Sequence, residues 1–210
     1  MKVRFGALMM TLLLLLTSGC GRANDSEDKS EELRKQLSQI AACEIECSMT
    51  ADYGQAVYDF KLSFSYDSDG ESILTVIEPE NISGLQIALN GETLELLFSQ
   101  TRLETGTLTS NGLTPVTAIP MMLSAWKNGY VYSIGNEEVD EVACLFLSIK
   151  TMDGDEDLSY NLWVGEESFI PRKAEIIYQG NTVIGCQFSR FEVTEIKEEN
   201  YDGTGNENMG

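Results

Sequence analysis

The feature that most constrains the fold is an alternation of apolar and polar residues, which begins near Cys43 and recurs along most of the chain. In CEIECSMTADYG every second residue is apolar, and the residues between them are mostly polar or charged. The pattern repeats in YDFKLSFSYDSDG, which ends in the turn signal Asp69-Gly70. A period of two places alternate side chains on opposite faces of a β-strand. We therefore predict half-buried strands with one face in water.

Further strands follow, mostly with turns rather than helices between them. LQIALNGETLELLF is typical of a hairpin around Asn90-Gly91, a dipeptide that suits a type I′ turn. Later strands are expected at 142–150, 158–164, 173–179 and 183–193. The sequence predicts nine to eleven antiparallel strands in total. Because most strands follow one another without a helix between them, a doubly wound parallel sheet is excluded. The sequence therefore predicts an α+β fold that is mainly antiparallel β.

Two segments have helical spacing instead. Ser30 suits an N-cap, and we predict an N-terminal helix from Ser30 to about Ala42. Its apolar stripe consists of Leu33, Leu37 and Ile40. The second segment is TPVTAIPMMLSAWKNG, in which Pro120 suits the first helical position and Gly129 the C-terminal stop. We predict an apolar central helix between blocks of strands.

The first residues have the parts of a secretory signal. Lys2 and Arg4 precede an apolar core of about a dozen residues, which is shorter than the ~20 residues that span a bilayer. LTSGC resembles the lipobox of bacterial lipoproteins, in which the cysteine, here Cys20, is acylated and becomes the first mature residue. Thr17 stands where leucine is usual. An ordinary signal peptide with an incidental cysteine is the alternative.

We therefore divide the chain into a lipoprotein signal peptide (1–19), a flexible tether (20–29), one folded domain (30–197) and a disordered tail (198–210). The chain has 14 Lys and Arg against 34 Asp and Glu, a formal net charge of −20. Such a surface repels phosphate backbones and anionic head groups. We expect no nucleic-acid partner, and an extracytoplasmic protein that is held on the membrane by its lipid alone.

The order of these elements resembles that of LolA/LolB-like lipoproteins. The resemblance covers about residues 30 to 195 and is carried by VIEPENISGLQIALNGETLEL, TPVTAIPMMLSAW and LWVGEESFIPRKAEIIYQGNTVIGCQFSRFEV. It implies a curved, incompletely closed half-barrel sheet with a central plug helix and an apolar cavity for acyl chains or lipids. Clostridial germination lipoproteins, which support a cell-wall amidase, look like one branch. No position here aligns with the family's arginine involved in lipid release.

The residues give little support to catalysis. The chain contains no histidine, which excludes Ser-His-Asp and Cys-His mechanisms and removes the commonest metal ligand. Ser124 and Lys127 have the S-x-x-K spacing of penicillin-recognising enzymes, but the S-D-N and K-T-G elements are missing. DSDG (67–70) and DGDED (153–157) lack the EF-hand register. We interpret both as hairpin turns, with weak calcium association at the second left open, and expect no enzyme activity, cofactor or metal.

Four cysteines follow Cys20. In an extended strand Cys43 and Cys47 lie about 13 Å apart, at ~3.3 Å per residue, which exceeds the reach of a disulfide. A helix that runs on to Cys47 brings them together instead. With Cys144 and Cys186, the spacing does not favour a four-thiolate zinc site. Buried thiols and one structural disulfide both stay open.

The candidate ligand site is a set of large apolar residues expected to face the interior: Phe60, Phe64, Leu96, Met121, Met122, Trp126 and Trp163. Plain core packing is the alternative for each of them. Two methionines near a tryptophan suit an adaptable plug over a cavity.

We therefore predict a non-catalytic, membrane-anchored lipoprotein that holds a hydrophobic moiety, such as an acyl chain, between its sheet and central helix. The alternative is an adaptor of the same fold, with its interior filled by its own side chains, that binds an envelope or spore cell-wall enzyme. An open sheet edge also offers a route to a homodimer.

Overall fold

The computed structural model describes residues 22–91, 93–98, 101–107, 113–152 and 155–196. The predicted signal peptide, Cys20 and the predicted tail (198–210) lie outside these ranges. Two helices, α1 and α2, and a 3₁₀ turn (Glu80–Ile82) accompany eleven strands. In chain order the helices and strands are α1 (Arg22–Gln39), β1 (Ile40–Asp52), β2 (Val57–Asp67), β3 (Ser72–Glu78), β4 (Gln86–Asn90), β5 (Thr93–Phe98), β6 (Thr101–Thr107), α2 (Pro115–Asn128), β7 (Tyr130–Val139), β8 (Val142–Lys150), β9 (Leu158–Gly165), β10 (Pro171–Tyr178) and β11 (Asn181–Ile196).

The strands form one antiparallel sheet in the order β6-β5-β4-β3-β2-β1-β11-β10-β9-β8-β7. Strands that are consecutive in the chain lie side by side, except β6 and β7, and the first and last strands, β1 and β11, pair with each other in the middle of the sheet. Within the described ranges β6 and β7 are the two edges and do not pair with each other. The predicted mainly antiparallel, incompletely closed sheet is confirmed.

One face of the sheet carries the core. Residues paired across antiparallel strands share a face, and one apolar row crosses seven strands in register: Leu103, Leu96, Ile87, Leu74, Phe64, Ile45 and Phe191. In the middle of the row Phe64 is 1% exposed, whereas Leu103 at the β6 end is 61% exposed. The row becomes less buried towards β6 because α2 packs on α1, β8, β9 and β10, which lie away from that edge. We call β5 and β6 the open wing.

The predicted central helix is confirmed, but it begins earlier than its sequence pattern indicated. Thr114 is the N-cap, with its Oγ1 accepting the backbone N–H of Thr117 at 3.3 Å, and Pro115 opens the first turn. The prediction that Pro120 begins the helix is therefore wrong, because Pro115 fills that position and Pro120 lies inside the helix. Gly129 ends it as predicted.

The N-terminal helix also differs from its predicted bounds. It begins at Arg22 and ends at Gln39, so residues 22–29 are helical rather than the flexible tether we expected, and Ser30 is not an N-cap. Tertiary contacts support the extra turns, since Lys29 Nζ lies 2.5 Å from Glu166 Oε1. The helix ends early because residues from Ile40 onward pair with β11. Neither described helix has both the length and the apolar character needed to cross a bilayer.

Two hairpins contain the remaining differences between the predicted strands and the structure. The hairpin of β4 and β5 is confirmed, but Asn90 pairs with Thr93 and so belongs to the strand ladder rather than to the turn. β7 was not indicated by the sequence pattern. Its turn into β8 uses Asp140 and Glu141 at φ values of 49° and 63°, a conformation that such residues seldom adopt.

Candidate functional site

The buried side of α2 is closely packed. Met122 and Trp126 are almost fully buried. The indole of Trp126 lies 6.0 Å from the ring of Phe188 and 6.4 Å from that of Phe191, between ring centroids. Trp126 Nε1 has no hydrogen-bond partner among the described residues. Beneath this part of α2 the interior is therefore filled by side chains.

A groove of about 510 Å³ runs along another side of α2, between the helix and strands β2 to β4. The helix contributes a stripe with i, i+3, i+4, i+7 spacing, which places its members on one face: Pro120, Leu123, Ser124 and Lys127. The facing wall consists of Phe64, Tyr66, Ser72 and Leu89. The helix thus contacts β8 to β10 on one side and faces β2 to β4 across a gap on the other, which shows that the sheet curves around it.

The structure brings together only part of the predicted apolar set. Phe64 lines the groove, whereas Met122 and Trp126 point into the packed core. Three further members are half-buried and pack at the margin of the core: Phe60, Leu96 and Met121.

Trp163 lies on the opposite face of the sheet, so its predicted place beside the central helix is wrong. Its neighbours Leu162 and Val164 belong to the core, and strand geometry turns the residue between them outward. The indole stacks on Phe146 with centroids 5.0 Å apart, and Lys173 Nζ lies 4.4 Å from its centroid. Both faces of β9 are buried, so no alternation could indicate which way Trp163 points.

One end of the groove is polar. Lys127 Nζ donates to the carbonyl oxygen of Ile40 at 2.7 Å and to Tyr66 Oη at 3.0 Å. Ser68, just beyond β2, lines the same end. Lys127 stands in the last turn of α2, where the helix dipole favours a cation. Its contact with Tyr66 of β2 joins residues far apart in the chain, so the sequence could not reveal it.

The four cysteines within the described ranges are free and buried. Cys43 and Cys47 both belong to β1, which excludes a bond between them, as the extended spacing predicted. Burial, with a smaller contribution from Glu44, raises the pKa of Cys43 to about 12. Donation of the Cys186 S–H to Cys47 and the burial of Cys186 favour its neutral thiol and raise its pKa well above the ordinary value.

Two other depressions are present. The larger, about 990 Å³, lies between α1 and β7 and has charged walls that include Glu31, Glu32 and Arg34. The second, which we call the terminal groove, has about 520 Å³ and is lined mainly by apolar residues of α1, the β9–β10 loop and the end of β11: Leu33, Leu37, Ile170, Phe191, Val193 and Ile196.

The acidic turns have structural roles. Asp67 Oδ1 accepts the backbone N–H groups of Asp69 and Gly70, each at 2.9 Å. Asp155 Oδ1 accepts the N–H of Asp157 at 3.0 Å, while residues 153 and 154 of this turn lie outside the described ranges. In the part of the chain that the structure describes, no group of three or more Asp, Glu or Cys side chains is arranged to hold a metal ion.

No family model matches the chain, and no curated protein matches it either. Several solved structures, however, are similar to it. A LolA superfamily protein from Nitrosomonas europaea is similar over 80% of this chain and 94% of its own, with 14% identity and a TM-score of 0.46. LprF from Mycobacterium bovis is similar over 81% and 94%, with 9% identity and a TM-score of 0.48.

The lipoprotein LppX from Mycobacterium tuberculosis is similar over 80% of this chain and 93% of its own, with 10% identity and a TM-score of 0.42.

Proposed function

We propose that the protein binds a hydrophobic moiety, such as an acyl chain, in the groove between α2 and strands β2 to β4. The observation that carries the proposal is the groove itself, in which the largely buried Phe64, Leu89 and Leu123 form the apolar part of a lining that is otherwise polar. Its volume of about 510 Å³ falls within the range of roughly 300–1,000 Å³ of small-molecule sites. The proposed function is binding without a reaction.

The open wing extends this apolar surface. Leu96 and Leu103 continue the row that passes through Phe64, and Leu103 is the more exposed of the two. A chain longer than the groove therefore finds further apolar contacts on the open wing, which α2 leaves uncovered. This continuity supports a linear, flexible ligand over a compact one.

The protein is proposed to be attached to the membrane through an acylated Cys20 and to lie outside the cytoplasm. The net charge of −20 supports a covalent anchor, because anionic head groups repel such a surface. Intact mass measurement of the membrane-extracted protein tests this: acyl groups are expected on Cys20. Cys20→Ser is expected to release the protein from the membrane fraction.

Fluorescence titration with cis-parinaric acid tests ligand binding in the groove. The full chain carries Cys20→Ser, so that no attached acyl group competes with the probe. Ser124 is an exposed member of the helical stripe, so Ser124→Trp fills the groove without disturbing the core. It is expected to weaken binding at least tenfold. Thr182→Trp, at an exposed position outside the groove, is the matched control and should bind as the parent chain does.

A second candidate function is the adaptor, and the terminal groove favours it. Ile170, Val193 and Ile196 are 42%, 43% and 61% exposed there, and clustered exposed apolar residues are typical of protein contacts. The expected partner is an envelope or cell-wall enzyme. Val193→Glu should then abolish its capture from the host envelope and leave cis-parinaric acid binding unchanged.

We also propose that the protein forms a homodimer through an edge of its sheet. Strands β6 and β7 present unpaired edges within the described ranges, and unpaired edges favour strand addition. Light scattering over a concentration series measures the mass. A monomer at every concentration contradicts this proposal.

A further inference from the structure

We infer that the polar end of the groove, formed by Lys127, Tyr66 and Ser68, binds the head group of a long-chain carboxylate. The inference rests on the proposed function, because it names the class of ligand that the same groove takes. The carboxylate lies at the polar end, and the alkyl chain follows the apolar walls.

The first observation is that Lys127 has no anionic partner among the described residues, although its Nζ lies 5.0 Å from the centroid of the Tyr66 ring. An ammonium has three N–H donors, and two of them are used by Ile40 O and Tyr66 Oη. Among the described residues no carboxylate lies within ion-pair distance of Lys127. In a chain with 34 acidic residues, a half-buried cation without an anionic partner marks a place where an anion is favoured.

Two hydroxyl groups beside Lys127 also have unused donors. Tyr66 Oη accepts a hydrogen bond from Lys127, so its own proton remains available, and it has no acceptor within the described ranges. Ser68 Oγ is buried and has no hydrogen-bond partner there. Buried hydroxyls are normally paired, since leaving one unpaired is unfavourable. A ligand oxygen in the groove can accept the Tyr66 proton, and the enclosed Ser68 Oγ can donate to it only after its side chain turns toward the groove.

The backbone holds these donors at one place. Lys127 Nζ binds the carbonyl of Ile40, and the N–H of Ser68 binds the next carbonyl, that of Ala41, at 2.8 Å. Tyr66 and Ser68 are two residues apart and line the same groove. A carboxylate accepts several such bonds and is attracted by the ammonium, whereas an ester lacks the charge.

The acidic groups near this end do not replace the ligand. Asp67 also lines the groove, but its Oδ1 accepts the backbone N–H groups of the β2–β3 turn. Glu31 and Glu32 line the neighbouring depression, which Lys127 also borders. Neither forms an ion pair with Lys127 in the described part of the chain.

The groove takes the first part of an alkyl chain. From Lys127 the helical stripe runs back through Leu123 to Pro120. This rise of seven residues spans about 10 Å at 1.5 Å per residue. The open wing lies beyond.

Titrations with cis-parinaric acid and its methyl ester distinguish the contribution of the head group to the affinity from that of the alkyl chain. The full chain carrying Cys20→Ser should bind the acid roughly tenfold or more tightly than the ester. Lys127→Met should remove this preference while still binding the ester, and Lys127→Arg should retain most of it. Lys150→Met, which removes a lysine outside the groove, is the control and should keep the full preference.

Equal affinity of the parent chain for acid and ester, or an unchanged preference in Lys127→Met, overturns the inference and leaves the proposed function standing. Failure to bind either ligand contradicts the proposed function itself. Circular dichroism reports whether each variant is folded. If Lys127→Met does not fold, the double variant Tyr66→Phe with Ser68→Ala gives the same test, with an expected several-fold loss of preference for the acid.

Discussion

Trp126 on α2 and Phe188 on β11 meet edge to face, with ring centroids 6.0 Å apart and an interplanar angle of 82°. Such pairs add to the burial of both rings, and this one fixes the helix on the middle of the sheet. We expect Trp126→Ala to lower the free energy of unfolding by about 3–5 kcal/mol. Urea denaturation followed by circular dichroism measures it.

Trp126→Phe is the matched control. It keeps an aromatic ring against Phe188 and removes the unpartnered indole N–H. Its loss of unfolding free energy should therefore be less than half the loss in Trp126→Ala. Equal losses for the two variants would show that ring packing does not hold α2.

Gly129 allows α2 to end close against β8. A Cβ at this position meets Ala125 O at 2.5 Å, Ile149 Cγ2 at 2.6 Å and Lys150 O at 2.7 Å. Because two of these atoms are backbone oxygens, they cannot move aside cheaply. Gly129→Ala should cost about 1–3 kcal/mol of unfolding free energy, measured by thermal melting. Gly185→Ala, where a Cβ meets nothing within 4 Å, is the control.

Tyr160 carries a buried hydroxyl without a partner in the described part of the chain, and burial raises its pKa to about 12. Stability is therefore independent of this group below the unfolded pKa near 10 and falls as pH rises towards 12, because the unfolded phenol ionises first. Tyr160→Phe should raise stability by about 1 kcal/mol at neutral pH.

Between pH 9 and 11 the same variant should also lose about 1 kcal/mol less than the parent chain. Urea titrations at several pH values measure both effects. Parallel pH profiles for the two proteins would argue against a buried, shifted phenol.

The buried thiols should be inert. Burial raises the pKa of Cys43 to about 12, and only the thiolate reacts readily. In the chain carrying Cys20→Ser, iodoacetamide near neutral pH should modify none of the four free cysteines until the protein is unfolded. Mass spectrometry counts the modified sites. Rapid labelling of Cys43 or Cys186 in the folded state would contradict their burial.

The sequence predicts the sheet well because most strands are buried on one face only. β1 and β2 alternate so regularly that their inner residues, such as Ile45 and Phe64, could be assigned before the structure was known. β9 shows the limit: it is buried on both faces, and Trp163 was assigned to the wrong one. The start of α2 was predicted wrongly because both Pro115 and Pro120 suit the first helical position. The helix begins at the earlier one, Pro115.

The candidate site was less predictable than the fold. Apolar composition identified Phe64, but it could not separate the packed side of α2, with Met122 and Trp126, from the side that faces the groove. That distinction depends on which wing of the curved sheet the helix contacts. The convergence of Lys127 with Tyr66 joins residues 61 positions apart, and no local pattern encodes it.

Photo-crosslinking with a long-chain fatty acid that carries a diazirine on its alkyl chain tests the central claim most directly. The label is read out by peptide mass spectrometry on the full chain with Cys20→Ser. The account predicts labelled peptides from α2, around Leu123, and from the facing strands, around Phe64 and Leu89. Labelling confined to the terminal groove around Val193, or no saturable labelling, would contradict it.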